Sequence, residues 1–512
     1  MSSSESAAEA IVEGVAAPAK PTAPIDFDAL PPLSKDPSFW GMGVAQFLGA
    51  FNDNLFKQLV LLLSFVPLGF DKIGELPGTS LFLFGAPLAL AMIVPSVGPM
   101  FIMLGVAAFE QGQASDRQGL AGIVFAAPFI LTTGYAGYLA DRYRKRSIVV
   151  ACKLAEVIIM AAGAVAFTIY SRDQSLAPLY VVLFLMGAHS GFFGPAKYGI
   201  LPEMLRPSDL SRANGLLLTT TFMAIILGTF VAGQLLGNFR DQLWVGSAAC
   251  ISVAVAGTIA ALFVRKLPAA DPNLPFDVSA LTVPHEMRAL LRQDRPLWLA
   301  LLVSSAFWLL AGMVMPAVNS LGMLDHMAGA KSTSLLVAVV SIGIAIGGSV
   351  GGILSGDKVD FRVMRVGCWG MVVCLFLLAV PTWDGARAAD VAANVAAGGW
   401  FAGLPRMGES PQWLGYPGSM ITLVFLGVFT GCFAVPLQVF MQSRPPEGKK
   451  GRMIAVMNLA NWVGILLAGV IYEVLSRVIE GAHWPRCTMF IFIGAITLSI
   501  AMFYHPKTEE LH

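Results

Sequence analysis

Apolar stretches of about 20 residues recur along the whole chain, and each is long enough to cross a hydrocarbon layer as a helix. This feature constrains the fold most, because a helix pairs all its own backbone polar groups where no water is available. Of the 512 residues, 56% are hydrophobic and 13% are charged, and the net charge is +1. The sequence therefore predicts an all-α integral membrane protein. Its near-neutral charge and lack of a continuous basic stripe argue against nucleic acid as a partner.

The apolar stretches form two sets of six, and twelve crossings are predicted. The first set is expected at about 39–66, 120–140, 148–170, 177–204, 210–236 and 244–264. The second is expected at about 297–318, 335–354, 363–380, 420–441, 453–475 and 489–503. The predicted domains are a disordered cytoplasmic tail (1–37), an N-terminal six-helix bundle (38–264), a cytoplasmic linker (265–295), a C-terminal six-helix bundle (296–505) and a short cytoplasmic tail (506–512).

Two insertions interrupt this plan, one at about 67–118 and one in an outer loop at about 383–417. Within the first, the apolar segment 79–109 is broken by Pro87, Pro95 and Pro99. If it contributes zero or two crossings, the loops on the linker side hold about twice as many Lys and Arg residues as the opposite loops. We therefore expect a hairpin or re-entrant insertion, with both termini and the linker in the cytoplasm.

The first apolar stretch carries polar side chains where lipid would be expected. Gln46, Asp53, Lys57 and Ser64 are spaced by seven, four and seven residues, so on a helix they share one stripe. A charged residue at a bilayer centre costs roughly 2.5 to 3.5 kcal/mol, so the stripe should face other helices or a wet cavity. The predicted substrate-binding residues on this helix are Gln46, Asn52, Asp53, Asn54 and Lys57.

The end of the fourth stretch, GFFGPAKYGILPE, holds a second basic candidate. Pro195 should kink the helix and expose Lys197, next to Tyr198, to the central cavity. The alternative is that Lys197 snorkels to the cytoplasmic surface. Two partners for Asp53 stay open at this point: Lys197 across the cavity, or Lys57 four residues along the same helix.

An internal repeat relates the two halves. GFFGPAKYGILPEMLRPSDLSR and GCFAVPLQVFMQSRPPEGKKGR align at an offset of about 240 residues, and an earlier pair of loops aligns at about 216. Two six-helix halves in the same orientation are typical of a parallel-repeat transporter. Gly343, Gly347 and Gly351 form a small-residue ladder that predicts close helix packing.

The first of those loops, GYLADRYRKR at residues 137–146, resembles the signature loop of the major facilitator superfamily, with Arg144 where that pattern has its second glycine. The resemblance implies a twelve-helix transporter and a latch of ion pairs that form in one conformation and break in the other. The alternative is a basic cluster that only sets topology. The predicted gating residues are Asp141, Arg142, Arg146, Asp357, Lys358 and Arg362.

Further stretches, among them QFLGAFNDN, PAKYGILPE, SRANGL, SIGIAIGG, CFAVPLQ and GKKGRMIAVMNLAN, resemble the bacterial lysophospholipid transporter family of the major facilitators. The resemblance implies that Asp53 and Lys197 belong to the cavity for a phosphate-bearing headgroup. It also implies alternating access in a bacterial inner membrane and a cytoplasmic acyltransferase as a partner. A basic residue that some members carry in helix 7 has no counterpart in GMVMPAVN, residues 312–319. We expect a monomer.

Other chemistries are weighed against lysophospholipid transport. A proton-coupled transporter of another small amphiphile or drug, with Asp53 as the proton carrier, is the main alternative. An enzyme is not expected, because neither an HxxxxD acyltransferase motif nor an HExxH metal pair is present. The six cysteines form no CxxC, so we expect no metal and no cofactor. Lys153 with Glu156, and His189, are interpreted as structural, since the pair can satisfy itself at i and i+3.

Overall fold

The structure is a computed structural model of the chain. It describes residues 30–65, 116–268, 274, 285–355, 358–359, 361–382, 404, 407–446, 450–506 and 509–510. The predicted hairpin or re-entrant segment at 79–109 and most of the outer loop at 383–417 lie outside the described residues.

Twelve long helices make up the described chain. The first six are α1 (Pro37–Leu63), α2 (Gln118–Arg142), α3 (Lys145–Asp173), α4 (Ala177–Gly199), α5 (Leu210–Asn238) and α6 (Trp244–Leu262). The last six are α7 (Arg295–Ser320), α8 (Gly329–Ser355), α9 (Phe361–Leu378), α10 (Gly415–Ser443), α11 (Lys450–Gly481) and α12 (Met489–Phe503). Shorter helical pieces include Leu201–Met204 and a linker helix, His285–Gln293. Strands β1 (Lys358–Val359) and β2 (Glu509–Glu510) pair antiparallel.

The predicted fold class is confirmed by these helices. Eleven of the helices that the described residues form are long and apolar enough to span a membrane. The twelfth long helix is α1. Its 27 residues, about 40 Å at 1.5 Å per residue, are long enough, but its amides and charges lower its mean hydropathy. A helix of that composition must be surrounded by other helices, and α1 packs against α4, α5 and α6.

The two sets of six helices begin in the same way. Asp36 caps α1 by accepting a hydrogen bond from the Ser38 N–H at 2.9 Å, and a proline opens the helix. Asp294 caps α7 by accepting from the Leu297 N–H at 3.1 Å, again beside a proline. Each capping carboxylate also binds an arginine from its own set, Arg265 for Asp36 and Arg444 for Asp294. The internal repeat therefore extends to the local chemistry of these helix starts.

The main apolar cores lie within one set each, and a small cluster of Ile123, Ala126, Ala127 and Leu466 bridges the two sets. One cluster of buried side chains draws on residues 287–501, and two others draw on residues 33–267. We call the end of the bundle at which α6 finishes and α7 begins the linker end, and the opposite end the far end.

Within the last six helices, α8 lies so close to α10 that a Cβ on Gly343 or Gly347 would meet backbone carbonyls of Val424 and Val428. The close packing predicted for this glycine ladder is confirmed at these two positions.

A buried hydrogen-bond network joins the two sets at the far end. The Gln58 amide donates to Asn319 Oδ1 at 2.9 Å, and Asn319 Nδ2 donates to Gln118 Oε1 at 2.8 Å. The Tyr472 hydroxyl donates to Asp116 Oδ2 at 2.8 Å, and Ser320 donates to the same oxygen. We call this network the far-end lock; its members are Gln58, Asp116, Gln118, Asn319, Ser320 and Tyr472, all nearly fully buried.

The lock places the described hydrogen bonds between the two sets at one end of the molecule. Towards the middle, the sets still touch through the stacked rings of Phe129 and Trp462, whose centroids are 3.6 Å apart. In the described part of the chain, the hydrogen bonds that join the two sets therefore lie at the far end.

We predict that replacing Asn319 with alanine destabilises this closure. The substitution leaves the Gln58 amide and the Gln118 oxygen buried without their partner, a loss of about 1–3 kcal/mol in free energy of unfolding. Unfolding by dodecyl sulfate in mixed micelles measures this loss. Asn214→Ala is the matched control, because Asn214 is exposed and bonds only to Leu210 of its own helix. Equal stability of the two variants would contradict a structural role for the lock.

Candidate substrate-binding site

Asp53 of α1 has a carboxylate that is only half satisfied. Its Oδ2 accepts a hydrogen bond from the Ser190 hydroxyl of α4 at 2.7 Å. Its Oδ1 is buried and has no hydrogen-bond partner in the described structure. An unpaired carboxylate oxygen inside a membrane-spanning bundle is costly, so a donor or a cation bound at this atom would stabilise it.

A charged cluster lies beside Asp53, contributed by α1, α3 and α4. Lys153 and Glu156, both 1% exposed, form an ion pair of 2.7 Å. Asn52 donates to the other Glu156 oxygen at 2.8 Å, and His189 Nε2 lies 3.7 Å from Glu156 Oε2. The expected i,i+3 pairing of Lys153 and Glu156 is confirmed, but the pair also gathers polar side chains from two other helices. We call Asn52, Asp53, Lys153, Glu156, His189 and Ser190 the polar cluster.

The cluster depends on a glycine in α1. A Cβ on Gly49 would overlap the Lys153 ammonium, and the same ammonium lies 3.6 Å from the Cβ position of Gly257 on α6. Only glycine at position 49 lets the ammonium lie between α1 and α6 and reach Glu156, whereas the distance at Gly257 is an ordinary van der Waals contact. Local sequence thus shapes the site as much as the charges do.

Neither lysine proposed as a partner of Asp53 forms an ion pair with it in the described structure. The Lys57 ammonium lies over the Phe125 ring of α2, 5.2 Å from the ring centroid. The Lys197 ammonium lies over the Phe193 ring, 5.9 Å from the centroid, and Lys153 approaches the same ring at 5.2 Å. A cation placed against an aromatic face is held more weakly than one placed against a carboxylate.

The other residues predicted on the α1 stripe have different positions. Gln46 donates to the Leu217 carbonyl of α5 at 3.1 Å and to Thr221, which makes it a helix-packing contact. Asn54 donates to the Ala50 carbonyl of its own helix at 2.8 Å. The side chain of Tyr198 lies outside the described structure. The structure therefore brings Asn52 and Asp53 together with α3 and α4, and does not bring Gln46 or Asn54 to the same point.

Comparison with known proteins places the chain in a family. The family model described as Major Facilitator Superfamily matches residues 79–469. The chain belongs to the major facilitator superfamily. It is similar to two proteins named lysophospholipid transporter LplT, one from Serratia proteamaculans and one from Escherichia coli. The first is 26% identical over 372 residues and the second 27% identical over 377; each match covers 70% of this chain and 80% of the relative.

Solved structures of transporters show the same fold at low identity. The nucleoside transporter NupG aligns with a TM-score of 0.55 at 9% identity, covering 90% of this chain and 98% of NupG. A POT family transporter, solved in complex with a thioalcohol-conjugated peptide, aligns with a TM-score of 0.56 at 11% identity, covering 90% of this chain and 94% of that structure. A bacterial homologue of ferroportin, solved in an inward-facing state, aligns with a TM-score of 0.51. At these identities the likeness concerns the fold alone.

In this facilitator, the basic residues of the first signature loop bind backbone and a neighbouring acid. Arg146 donates to the carbonyls of Leu262 and Val264 at the end of α6, and Lys145 pairs with Glu203 at 2.5 Å. Arg142 donates to the Tyr138 hydroxyl and to the Leu274 carbonyl of the linker. Asp141 is exposed and forms no ion pair in the described part of the chain. A latching role for this loop stays a prediction.

The corresponding loop of the second half is only partly visible. Asp357 and the side chain of Lys358 lie outside the described residues, and Arg362 is exposed at the start of α9. In the last six helices, Asn461 accepts a hydrogen bond from Ser304 at 3.0 Å. This pair joins α7 to α11 and gives Asn461 a packing role.

Sequence reasoning missed two features of this facilitator. It did not connect Ser190 and His189 to the α1 acid, although both lie in a predicted helix otherwise rich in apolar residues. It also did not identify the far-end lock. In both cases the available signal was a polar side chain inside an apolar stretch, which shows that a partner exists but not which one.

We predict that Gly49→Ala weakens the polar cluster. The added methyl group displaces the Lys153 ammonium from Glu156, and disturbing a buried ion pair costs up to about 3 kcal/mol. The apparent melting temperature in detergent measures the effect. Gly43→Ala is the control on the same helix, because its Cβ would meet only Leu217 at an ordinary 3.8 Å. A Gly49 variant as stable as the Gly43 variant would show that the ammonium can shift without loss.

Proposed function

We propose that this facilitator moves lysophospholipids across a bacterial inner membrane into its inner leaflet by alternating access. The central proposal is that a zwitterionic headgroup binds between Asp53 and Lys57, with its ammonium on the carboxylate and its phosphate on the lysine. The further candidates Lys197, Tyr198, Asn54 and Gln46 have lesser or structural roles in this proposal.

One observation carries the proposal. Asp53 and Lys57 are one helical turn apart on α1, yet the carboxylate is directed to Ser190 of α4 and the ammonium to the Phe125 ring of α2. Each therefore keeps capacity for an external charge of opposite sign. A buried charge with only a partial partner is unstable, and a headgroup bearing both an ammonium and a phosphate satisfies the two residues at once.

The surroundings of Lys57 suit a lipid tail. Phe125 packs edge-on against Phe129 at 5.4 Å, and Phe129 stacks on Trp462 of α11. These rings extend from the charged site to the contact between the two sets of helices. They offer an apolar surface for an acyl chain whose headgroup is bound at the charged site. A charged pocket that borders an aromatic wall is the arrangement expected for an amphiphile with one acyl chain.

The relatives support the choice of substrate. Both proteins reported above are named lysophospholipid transporters, and each match covers most of the relative. The far-end lock supports alternating access, because it gathers hydrogen bonds between the two sets at one end of the bundle. We place the linker end in the cytoplasm from the excess of basic residues there. An acyltransferase in the cytoplasm is the expected consumer of the transported lipid.

We predict that Asp53→Asn and Lys57→Gln each reduce lysophosphatidylethanolamine transport by about tenfold or more. Losing a hydrogen bond to a charged group costs about 1.5–3 kcal/mol, which corresponds to that factor. Uptake of the labelled lipid into proteoliposomes, with protein insertion measured in parallel, tests both variants. Lys197→Gln, measured alongside, should retain more activity than Lys57→Gln.

Controls for this experiment come from the same chain. Asp241→Asn and Lys266→Gln change exposed residues outside the helices and should transport at the wild-type rate. If Asp53→Asn and Lys57→Gln match these controls, the headgroup site is assigned wrongly. If the wild-type protein moves no lysophospholipid but acidifies vesicles with another amphiphile, the proton-coupled alternative replaces the proposal.

We predict that weakening the far-end lock opens the far end. Ser334 of α8 is fully buried against Gly233 of α5, and all six native cysteines are buried, so Ser334→Cys provides a reporter with low background. Adding Tyr472→Phe should increase its labelling by a membrane-impermeant maleimide. A cysteine at exposed Asp241 should label equally in both backgrounds. Unchanged labelling of Ser334→Cys would count against the lock as a gate.

A further inference from the structure

The hydrogen-bond geometry of His189 in α4 favours a protonated imidazole ring. Its Nδ1 lies 2.8 Å from the backbone carbonyl of Met186. A carbonyl only accepts hydrogen bonds, so Nδ1 must carry a hydrogen. Its Nε2 faces Glu156 Oε2 at 3.7 Å, and a carboxylate likewise only accepts. With acceptors on both sides, the imidazole fits its surroundings best as an imidazolium.

The charges around His189 agree with that state. From α3 it faces Glu156 and Lys153, and from α1 it faces Asp53, through the Ser190 hydroxyl. On the α2 side, the nearest groups at Gly187 and Gly191, which flank His189 in α4, belong to Phe125, Pro128, Phe129 and Thr132, none of them titratable. The buried thiols of Cys152 and Cys250 lie near the same charges. Lys197 lies two turns along α4, against Phe193.

Within the polar cluster, a protonated His189 balances the charge. Asp53 and Glu156 contribute two negative charges, and Lys153 contributes one positive charge. The imidazolium supplies the second positive charge, which brings the net charge of the cluster to zero. The Lys57 ammonium is directed at the Phe125 ring and takes no part in the hydrogen bonds of the cluster. An uncompensated carboxylate at this depth would be costly, which favours the proton on His189 while Asp53 has no ligand.

His189 and the Asp53 carboxylate are linked through one hydroxyl. Ser190 Oγ lies 3.5 Å from His189 Nδ1 and donates to Asp53 Oδ2 at 2.7 Å. A cation that binds Asp53 Oδ1 therefore adds a positive charge that only the Asp53 carboxylate and the Ser190 hydroxyl separate from the imidazolium. Repulsion between the two favours loss of the proton from His189 to water, which leaves the total charge of the cluster unchanged.

We propose that His189 is a proton-binding site coupled to the headgroup site: it holds a proton while Asp53 is empty and releases it when a primary ammonium binds there. This inference rests on the proposed function for the identity of the ligand. It differs from the proton-coupled alternative described above, because the proton carrier is His189 and Asp53 stays ionised. Binding of an ammonium lipid and protonation of His189 then oppose each other.

The first test measures protons released on lipid binding. Purified transporter in weakly buffered detergent near pH 7 is mixed with lysophosphatidylethanolamine, and a pH-sensitive dye reports about one proton per bound lipid. Lysophosphatidylglycerol, which has a phosphate but no ammonium, should bind with little release. His189→Gln should bind lysophosphatidylethanolamine and release no more than a small fraction of the wild-type amount. His505→Gln, a change at an exposed histidine, should release as much as wild type.

Several outcomes would overturn the proposal. These are binding of lysophosphatidylethanolamine without proton release, equal release by His189→Gln, and equal release with lysophosphatidylglycerol.

If neither lipid binds, the proposed function fails, and the proton site at His189 is then tested by the pH dependence of thermal stability without ligand. In that arm, the melting temperature of wild type should exceed that of His189→Gln at acid pH, and the difference should shrink as pH rises and the proton leaves. A difference that does not vary with pH rejects the proton site.

Discussion

A charge inside a membrane-spanning bundle is stable only where protein groups replace water, and this constraint shapes the first six helices. Lys153 and Glu156 neutralise one another in an ion pair, and Asn52 donates a further hydrogen bond to the Glu156 carboxylate. Asp53 is stabilised only in part, because Ser190 donates to one of its oxygens and the other is unpaired. The polar cluster thus combines one satisfied pair with one unsatisfied acid, and in the proposed function that acid is the point at which a ligand contributes most.

The far-end lock works by different chemistry. Its amides Gln58, Gln118 and Asn319 are neutral, and their hydrogen bonds cross between the two sets of helices, while the hydroxyls of Ser320 and Tyr472 donate to the Asp116 carboxylate. Neutral hydrogen bonds exchange for bonds to water at small net cost, so such a closure can open and reform. A closure built from buried ion pairs would carry a larger desolvation penalty at each cycle. In the proposed function, the amide bonds of the lock therefore suit a contact that opens and reforms, whereas the bonds of the polar cluster lie within one set.

Much of the fold was predictable because hydropathy is a property of a single segment. Twelve long helices, a linker between two sets of six and a polar first helix all follow from local composition, although α8 begins at Gly329 rather than 335 and α11 ends at Gly481 rather than 475. The partners of Asp53 were not predictable in the same way. Spacing allowed a bond to Lys57 on the same helix, but the packing of α1 turns the carboxylate towards α4 and the ammonium towards α2. Rotation of a helix about its own axis is set by its neighbours, and no local pattern specifies it.

The sequence by itself determined that the chain crosses a membrane many times, that its two halves repeat, and that α1 carries charges needing protein partners. Only the tertiary structure decided which groups those partners are. Asn52 meets Glu156 across 104 residues of chain, and Asp116 meets Tyr472 across 356. Such contacts depend on how each helix is rotated and how close glycines such as Gly49 let it approach. The physical reason is that burial energy depends on segment composition, whereas pairing energy depends on directions and distances that exist only after the helices have packed.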